Sequence, residues 1–112
     1  MAIQSVAIDR LDTELLAVPS GIRFAVTVIM VCNTATPDPN DETANSTNFD
    51  LHFVKQGDIA SDINKVINKV QLPAGETFTF DTEKIILDGG DKIVVSSESP
   101  TVLSATVSFL EL

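Results

Sequence analysis

Arg23-Phe24-Ala25-Val26-Thr27-Val28-Ile29-Met30-Val31-Cys32-Asn33 is the stretch that decides the fold. Val, Ile, Phe and Thr dominate it. These residues fit the pleated surface of a strand and lose side-chain freedom in a helix. Strict alternation places Phe24, Val26, Val28, Met30 and Cys32 on one face, and Ala25, Ile29 and Val31 with Thr27 on the other. A strand apolar on both faces is normally covered on both. In a two-layer sandwich only one face meets the core, so the other is expected to need a loop or a neighbouring subunit. Phe24, Val26, Val28, Ile29, Met30 and Val31 are therefore the candidate interface residues.

Working outward, Pro19-Ser20-Gly21 precedes this strand, and similar punctuation recurs at Pro73-Ala74-Gly75 and Asp88-Gly89-Gly90-Asp91. Ala2–Ile8 reads as a first strand and Thr13–Val18 as a second, ended by Pro19, which has no amide hydrogen to give to a ladder. Phe49, Leu51 and Phe53 alternate as a core face. Residues 58–72 are ambiguous, because Ile59, Ile63, Val66, Ile67 and Val70 match helical spacing. The β-branched residues and Asn64 and Asn68 favour a short turn over 59–64 followed by a strand from Lys65 to Leu72. Strands over 77–80, 84–87, 92–97 and 102–110 complete the chain, the pair around Asp88–Asp91 reading as a tight hairpin. Pro100 breaks the chain before the last strand. In that strand Leu103, Ala105, Val107 and Phe109 are expected to point inward, with Ser104, Thr106 and Ser108 outward. The fold class is all-β: one domain over 1–112, a roughly eight-stranded antiparallel sandwich of jelly-roll or immunoglobulin-like type, with at most one short helical turn near 59–64.

Between the third and fourth strands lies TATPDPNDETANSTN (34–48), a polar loop long for a compact domain and read as either a functional surface loop or a mobile one. Asp38, Asn40, Asp41 and Glu42 are its candidate recognition residues. Seven basic against sixteen acidic residues in a chain of 112 give a formal charge of −9, and Phe24–Val54 contains no Lys or Arg. That balance repels phosphate backbones and excludes nucleic acid as an expected partner. No run approaches the ~20 apolar residues of a membrane helix, so no membrane partner is expected either.

Reactive chemistry is sparse. The one histidine, His52, alternates out of phase with its Phe neighbours and reads as a solvated strand-face residue. No serine stands in a nucleophile-elbow context, and a triad would need an activated nucleophile beside the histidine. The one cysteine, Cys32, excludes an intrachain disulfide and reads as an inert thiol. One His and one Cys leave too few soft ligands for zinc, and the acidic loop lacks the spacing and central glycine of an EF-hand. The chain is expected to be no enzyme, with no catalytic residues, no cofactor and no metal site.

The ordered series Val-Pro-Ser-Gly (18–21), Val-Cys-Asn-Thr (31–34), Leu-Pro-Ala-Gly-Glu (72–76), Ile-Leu-Asp-Gly-Gly-Asp-Lys-Ile (86–93) and Val-Ser-Phe-Leu-Glu (107–111) resembles a group of small virion proteins of tailed bacteriophages. The resemblance covers most of the chain from Asp12 onward. It implies a β-sandwich that is made in host cytoplasm and assembles in symmetric copies on a capsid or tail, in contact with other virion proteins. The expected function is thus a non-enzymatic structural protein of a phage virion, a homo-oligomer of capsid-decoration, neck or tail type. The alternative is a binding module that meets a host receptor or glycan through 34–48. The lack of Trp and Tyr weakens its glycan form, because sugar platforms stack on such rings.

Overall fold

A computed structural model describes residues 2–41, 43–81, 85–98 and 102–112. Glu42 of the acidic loop, Lys84 at the head of one expected strand and Pro100 lie outside the described residues. Nine strands follow one another: β1 (Ala2–Ile8), β2 (Thr13–Ala17), β3 (Phe24–Asn33), β4 (Thr47–Val54), β5 (Lys65–Leu72), β6 (Thr77–Phe80), β7 (Ile85–Leu87), β8 (Lys92–Ser97) and β9 (Leu103–Glu111). All pairings are antiparallel, in two sheets. The first runs β1-β9-β3-β6, with β7 sharing the outer edge of β3; the second runs β2-β8-β4-β5. The described residues form no helix, hence none long and apolar enough to cross a membrane.

Residues 59–64 form turns without helix, and β5 begins at Lys65 as its β-branched composition dictates. The turn over Asp88–Asp91 differs from its expected role. β7 pairs with β3 and β8 with β2 and β4, so the turn is a corner between sheets and not a hairpin within one. It is clasped to the Val18–Gly21 turn: Val18 N donates to Asp91 O and Gly90 N to Val18 O, both at 2.9 Å. Glycine is required there twice over. Gly90 has φ +90°, and a Cβ on Gly89 would stand 2.9 Å from the backbone nitrogen of Gly21.

The core lies between the sheets. Ile8, Val26, Ile29, Val31, Leu103, Ala105 and Val107 of the first meet Leu15, Leu16, Phe49, Leu51, Ile67, Ile93 and Val95 of the second. Aromatic pairs fasten the layers: Phe49 meets Phe78 edge-on at 5.5 Å, and Phe53 meets Phe80 at 6.0 Å. Each such contact adds about 1 kcal/mol beyond the area it buries.

Strand β3 corrects the strict alternation. Its ladder to β9 pairs Val26 with Phe109 and then Val28 with Ser108, leaving Thr27 as an extra residue. This bulge changes the phase of the strand by one residue. Phe24 and Val26 before it, and Ile29, Val31 and Asn33 after it, all point into the sandwich and are buried. A strand that reads as apolar on both faces is thus two half-strands that bury opposite parities on the same side.

Candidate assembly surfaces

The two outer faces of the sandwich differ in chemistry. On the second sheet, Glu14, Lys92, Asp50 and Lys65 leave the outer side. They make ion pairs, Lys92 to Glu14 at 3.7 Å and Lys65 to Asp62 at 3.4 Å. Such partly exposed pairs contribute little to stability, but they keep charge on this face.

On the first sheet the outward positions follow from the ladder registers. β1 presents Ile3, Ser5 and Ala7; β9 presents Ser104, Thr106, Ser108 and Leu110; β3 presents Ala25, Val28, Met30 and Cys32. β6 and β7 add Thr77, Thr79 and Ile86. None of these residues is charged, in a chain whose formal charge is −9. Arg23, Glu76, Asp81 and Asp88 lie beyond strand ends, and Glu111, the last residue of β9, takes the inward parity opposite Phe24. Rows of hydroxyls cross it, with Ser5 and Thr106 bonded to each other at 2.8 Å. Ile3 is 72% exposed, Ile86 53% and Met30 38%. A face of small, neutral side chains loses little on dehydration, since no ionic group must give up its water.

The six interface candidates divide accordingly. Phe24, Val26, Ile29 and Val31 belong to the chain's own core, while Val28 and Met30 lie on the neutral face. The outward rows of β1, β9 and β6 complete that face. Their signal was already present in the sequence as the alternation of Ser and Thr with apolar residues in β9.

The loop between β3 and β4 is tied down from below by Asn33. This buried side chain donates from Nδ2 to Asn45 O at 2.9 Å and to Leu72 O at 3.0 Å, and accepts from Ala35 N at 3.0 Å. Within the loop, Asp38 accepts from Asn40 N at 2.9 Å, and Asp41 from Thr43 N at 3.0 Å and Thr43 Oγ1 at 2.8 Å. The bonds from Thr43, its hydroxyl first and its amide next, hold the Asp41 carboxyl below the ordinary aspartate range. These carboxylates are engaged by their own turns and do not converge on a cation. Among the described residues no three His, Cys, Asp or Glu side chains gather as metal ligands.

His52 is 5% exposed, which corrects the solvated reading. The segment between β4 and β5 folds over it. Asn64 Oδ1 accepts from Ser61 N at 3.0 Å and from His52 Nδ1 at 2.9 Å, while Asn64 Nδ2 donates to Ile59 O at 2.8 Å. An amide oxygen in that role fixes the proton of the imidazole on Nδ1. Asn64 thereby shapes a segment that leaves Ile59 and Ile63 78% and 97% exposed. Beside it lies a depression of 470 Å³ lined by Phe53, Lys55, Asp58, Ile59, Ser61, Ile63 and Asn64. Cys32 and His52 stand on opposite outer faces of the sandwich, too far apart for a thiolate–imidazole couple.

Comparison with protein-family models, with curated proteins and with solved structures returned no match.

Proposed function

We propose that this chain is a non-enzymatic structural protein of a phage virion, a self-assembling β-sandwich that contacts other virion proteins on the capsid or tail. The observation that carries the reading is the neutral outer face of the first sheet, set against the charged outer face of the second. A strongly anionic chain that kept all its surfaces for water would place charge on both. A face of Ser, Thr, Ala and Met with isolated isoleucines suits a broad, flat contact with another protein. The order of turn motifs over 18–111 supports the same reading.

In this reading the neutral face lies against capsid or tail protein, and the charged face and the 34–46 loop point outward. Purified protein should show an oligomeric native mass at two concentrations and should co-sediment with tailed-phage particles lacking their own copy. Met30→Glu, which puts a charge in the middle of the neutral face, should abolish co-sedimentation while leaving the melting temperature within a few degrees of wild type, because exposed strand positions tolerate substitution within about 0.5 kcal/mol. Wild-type protein that never sediments with particles, or a Met30→Glu variant that sediments as well as wild type, would refute the proposal.

A further inference from the structure

Of the sandwich's lateral edges, three are protected against strand addition and one is open. β5 carries Lys65 and Lys69 and bends where Lys69 takes φ 49°, with its amide given to Asp50 Oδ1 at 2.8 Å. β2 carries Glu14 and shifts register between Glu14 and Leu16. The far edge of the first sheet is divided between β6, four residues long, and β7, three residues long. Charged side chains, bulges and short strands are the devices by which edges are kept from pairing. β1 has none of them. It runs AIQSVAI without charge, Pro or Gly, and all seven of its residues pair with β9 in unbroken register. Among the described residues its other side meets no strand.

We infer that β1 is the strand through which two copies of this chain join, by antiparallel β1–β1 pairing about a twofold axis at Ser5. Three features select a second copy as the occupant. Full overlap of seven residues centres on Ser5, which sets Ser5 opposite its own equivalent, Ile3 opposite Ala7 and Gln4 opposite Val6 of the other copy. That register preserves side-chain parity, so the neutral outer faces of the two copies merge into one continuous surface. Finally, each copy carries −9, and β1 is a place where two such chains meet without bringing carboxylates together. Gln4 Nε2 already donates to Leu15 O at 3.0 Å, holding the edge against the second sheet in a form ready to pair.

The inference rests on the self-assembly half of the proposed function and specifies its geometry. It predicts that added salt strengthens the dimer, since screening relieves repulsion between like-charged chains; a cationic foreign strand would bind less well in salt.

The test is cysteine cross-linking in a Cys32→Ser background. Under mild oxidation with oxidised glutathione, Ser5→Cys should form a disulfide dimer in high yield. Ile3→Cys should not, because its equivalents stand four residues apart along the ladder, roughly 14 Å, beyond the ~7 Å limit for bridged Cα atoms. Wild-type protein supplies a second readout that needs no variant: amide exchange over residues 2–8 should slow at least tenfold between dilute and concentrated samples. An oligomer whose β1 amides exchange at a concentration-independent rate, or in which Ile3→Cys and Ser5→Cys cross-link equally, overturns the inference and leaves the virion role standing. A dimer with the predicted cross-link that never co-sediments with particles upholds the inference and removes the virion role. A monomer at every concentration overturns β1 pairing and self-assembly together.

Discussion

The hydroxyl of Thr27 donates to the carbonyl oxygen of Ser108 across 3.0 Å, at the point where β3 carries one residue more than β9. The bond anchors the bulge that turns Ile29, Val31 and Asn33 inward. Two variants separate the bond from the extra residue. Thr27→Val keeps the count and loses one hydrogen bond, so urea unfolding should show a loss of about 1 kcal/mol with an unchanged slope. Deleting Thr27 removes the extra residue: Val28 then follows Val26 directly, every β9 partner is kept, and Ile29, Val31 and Asn33 stay inward on a regular ladder. That variant should keep a single cooperative thermal transition. Loss of cooperative unfolding after the deletion would refute the reading of Thr27 as a residue surplus to the ladder.

Asn33 is the buried polar hub of the opposite end. Asn33→Ala leaves the carbonyls of Asn45 and Leu72 and the amide of Ala35 without this partner. Each buried group so orphaned costs about 1–3 kcal/mol before water or relaxation compensates. A loss on the order of 3 kcal/mol is expected by urea denaturation. Asn33→Asp should be at least as damaging, because it turns a donor facing two carbonyl oxygens into an anion. Amide exchange in 35–46 should accelerate in both variants more than exchange in β8.

These two residues show what the sequence made legible and what it did not. Strand positions were readable because alternation and turn residues are local signals, and β5 was separable from a helix by the β-branching of Val66, Ile67 and Val70. Thr27 gave no sign of its bulge, since an inserted residue has no composition of its own and the position is not glycine. Reading through it placed Val28 and Met30 on the face of Phe24 and Val26, and Ile29 and Val31 on the other. Asn33 and His52 were equally opaque: the partners Leu72 and Asn64 are supplied by the fold, 39 and 12 residues away in the chain. The Asp88–Asp91 turn carried hairpin residues, yet sheet membership of the flanking strands is a tertiary fact. The neutral face was half visible, as Ser and Thr alternating through β9, but its sharing with β1 and β3 depends on pairings that local pattern does not specify.

The Asp41 carboxyl titrates below the ordinary aspartate range because Thr43 donates to its charged form, through the hydroxyl first and the amide next. A carboxyl whose folded value is depressed adds stability above its unfolded value and loses it as pH falls through the lower, folded one. The group is fully exposed, so the readout is the titration itself. A carbon-detected NMR titration should place the Asp41 midpoint below that of a model aspartate. Thr43→Val should move it back upward, because the larger of the two interactions is gone. A midpoint unmoved by Thr43→Val would show that the amide alone, or solvent, governs this carboxylate.

The corner that joins β7 to β8 makes the sharpest stability prediction, because its two glycines are constrained in different ways. Gly90 stands at φ +90°, and the atoms its Cβ would strike belong to the Gln56 side chain, which can swing away. Gly89 has no such backbone demand, but its Cβ would lie 2.9 Å from Gly21 N and 3.0 Å from Pro19 O, both main-chain atoms of the clasped turn. Gly57 is the control, with φ +85° and open space around its Cβ. Gly57→Ala should cost about 1 kcal/mol, the penalty of a left-handed conformation alone. Gly89→Ala should cost more, about 2–3 kcal/mol, because relief requires the Val18–Gly21 and Asp88–Asp91 turns to part and strain the bonds between Val18, Gly90 and Asp91. The two variants, unfolded side by side in urea, decide the matter. Equal losses would mean that the turns separate freely and that the corner is not the clasp described.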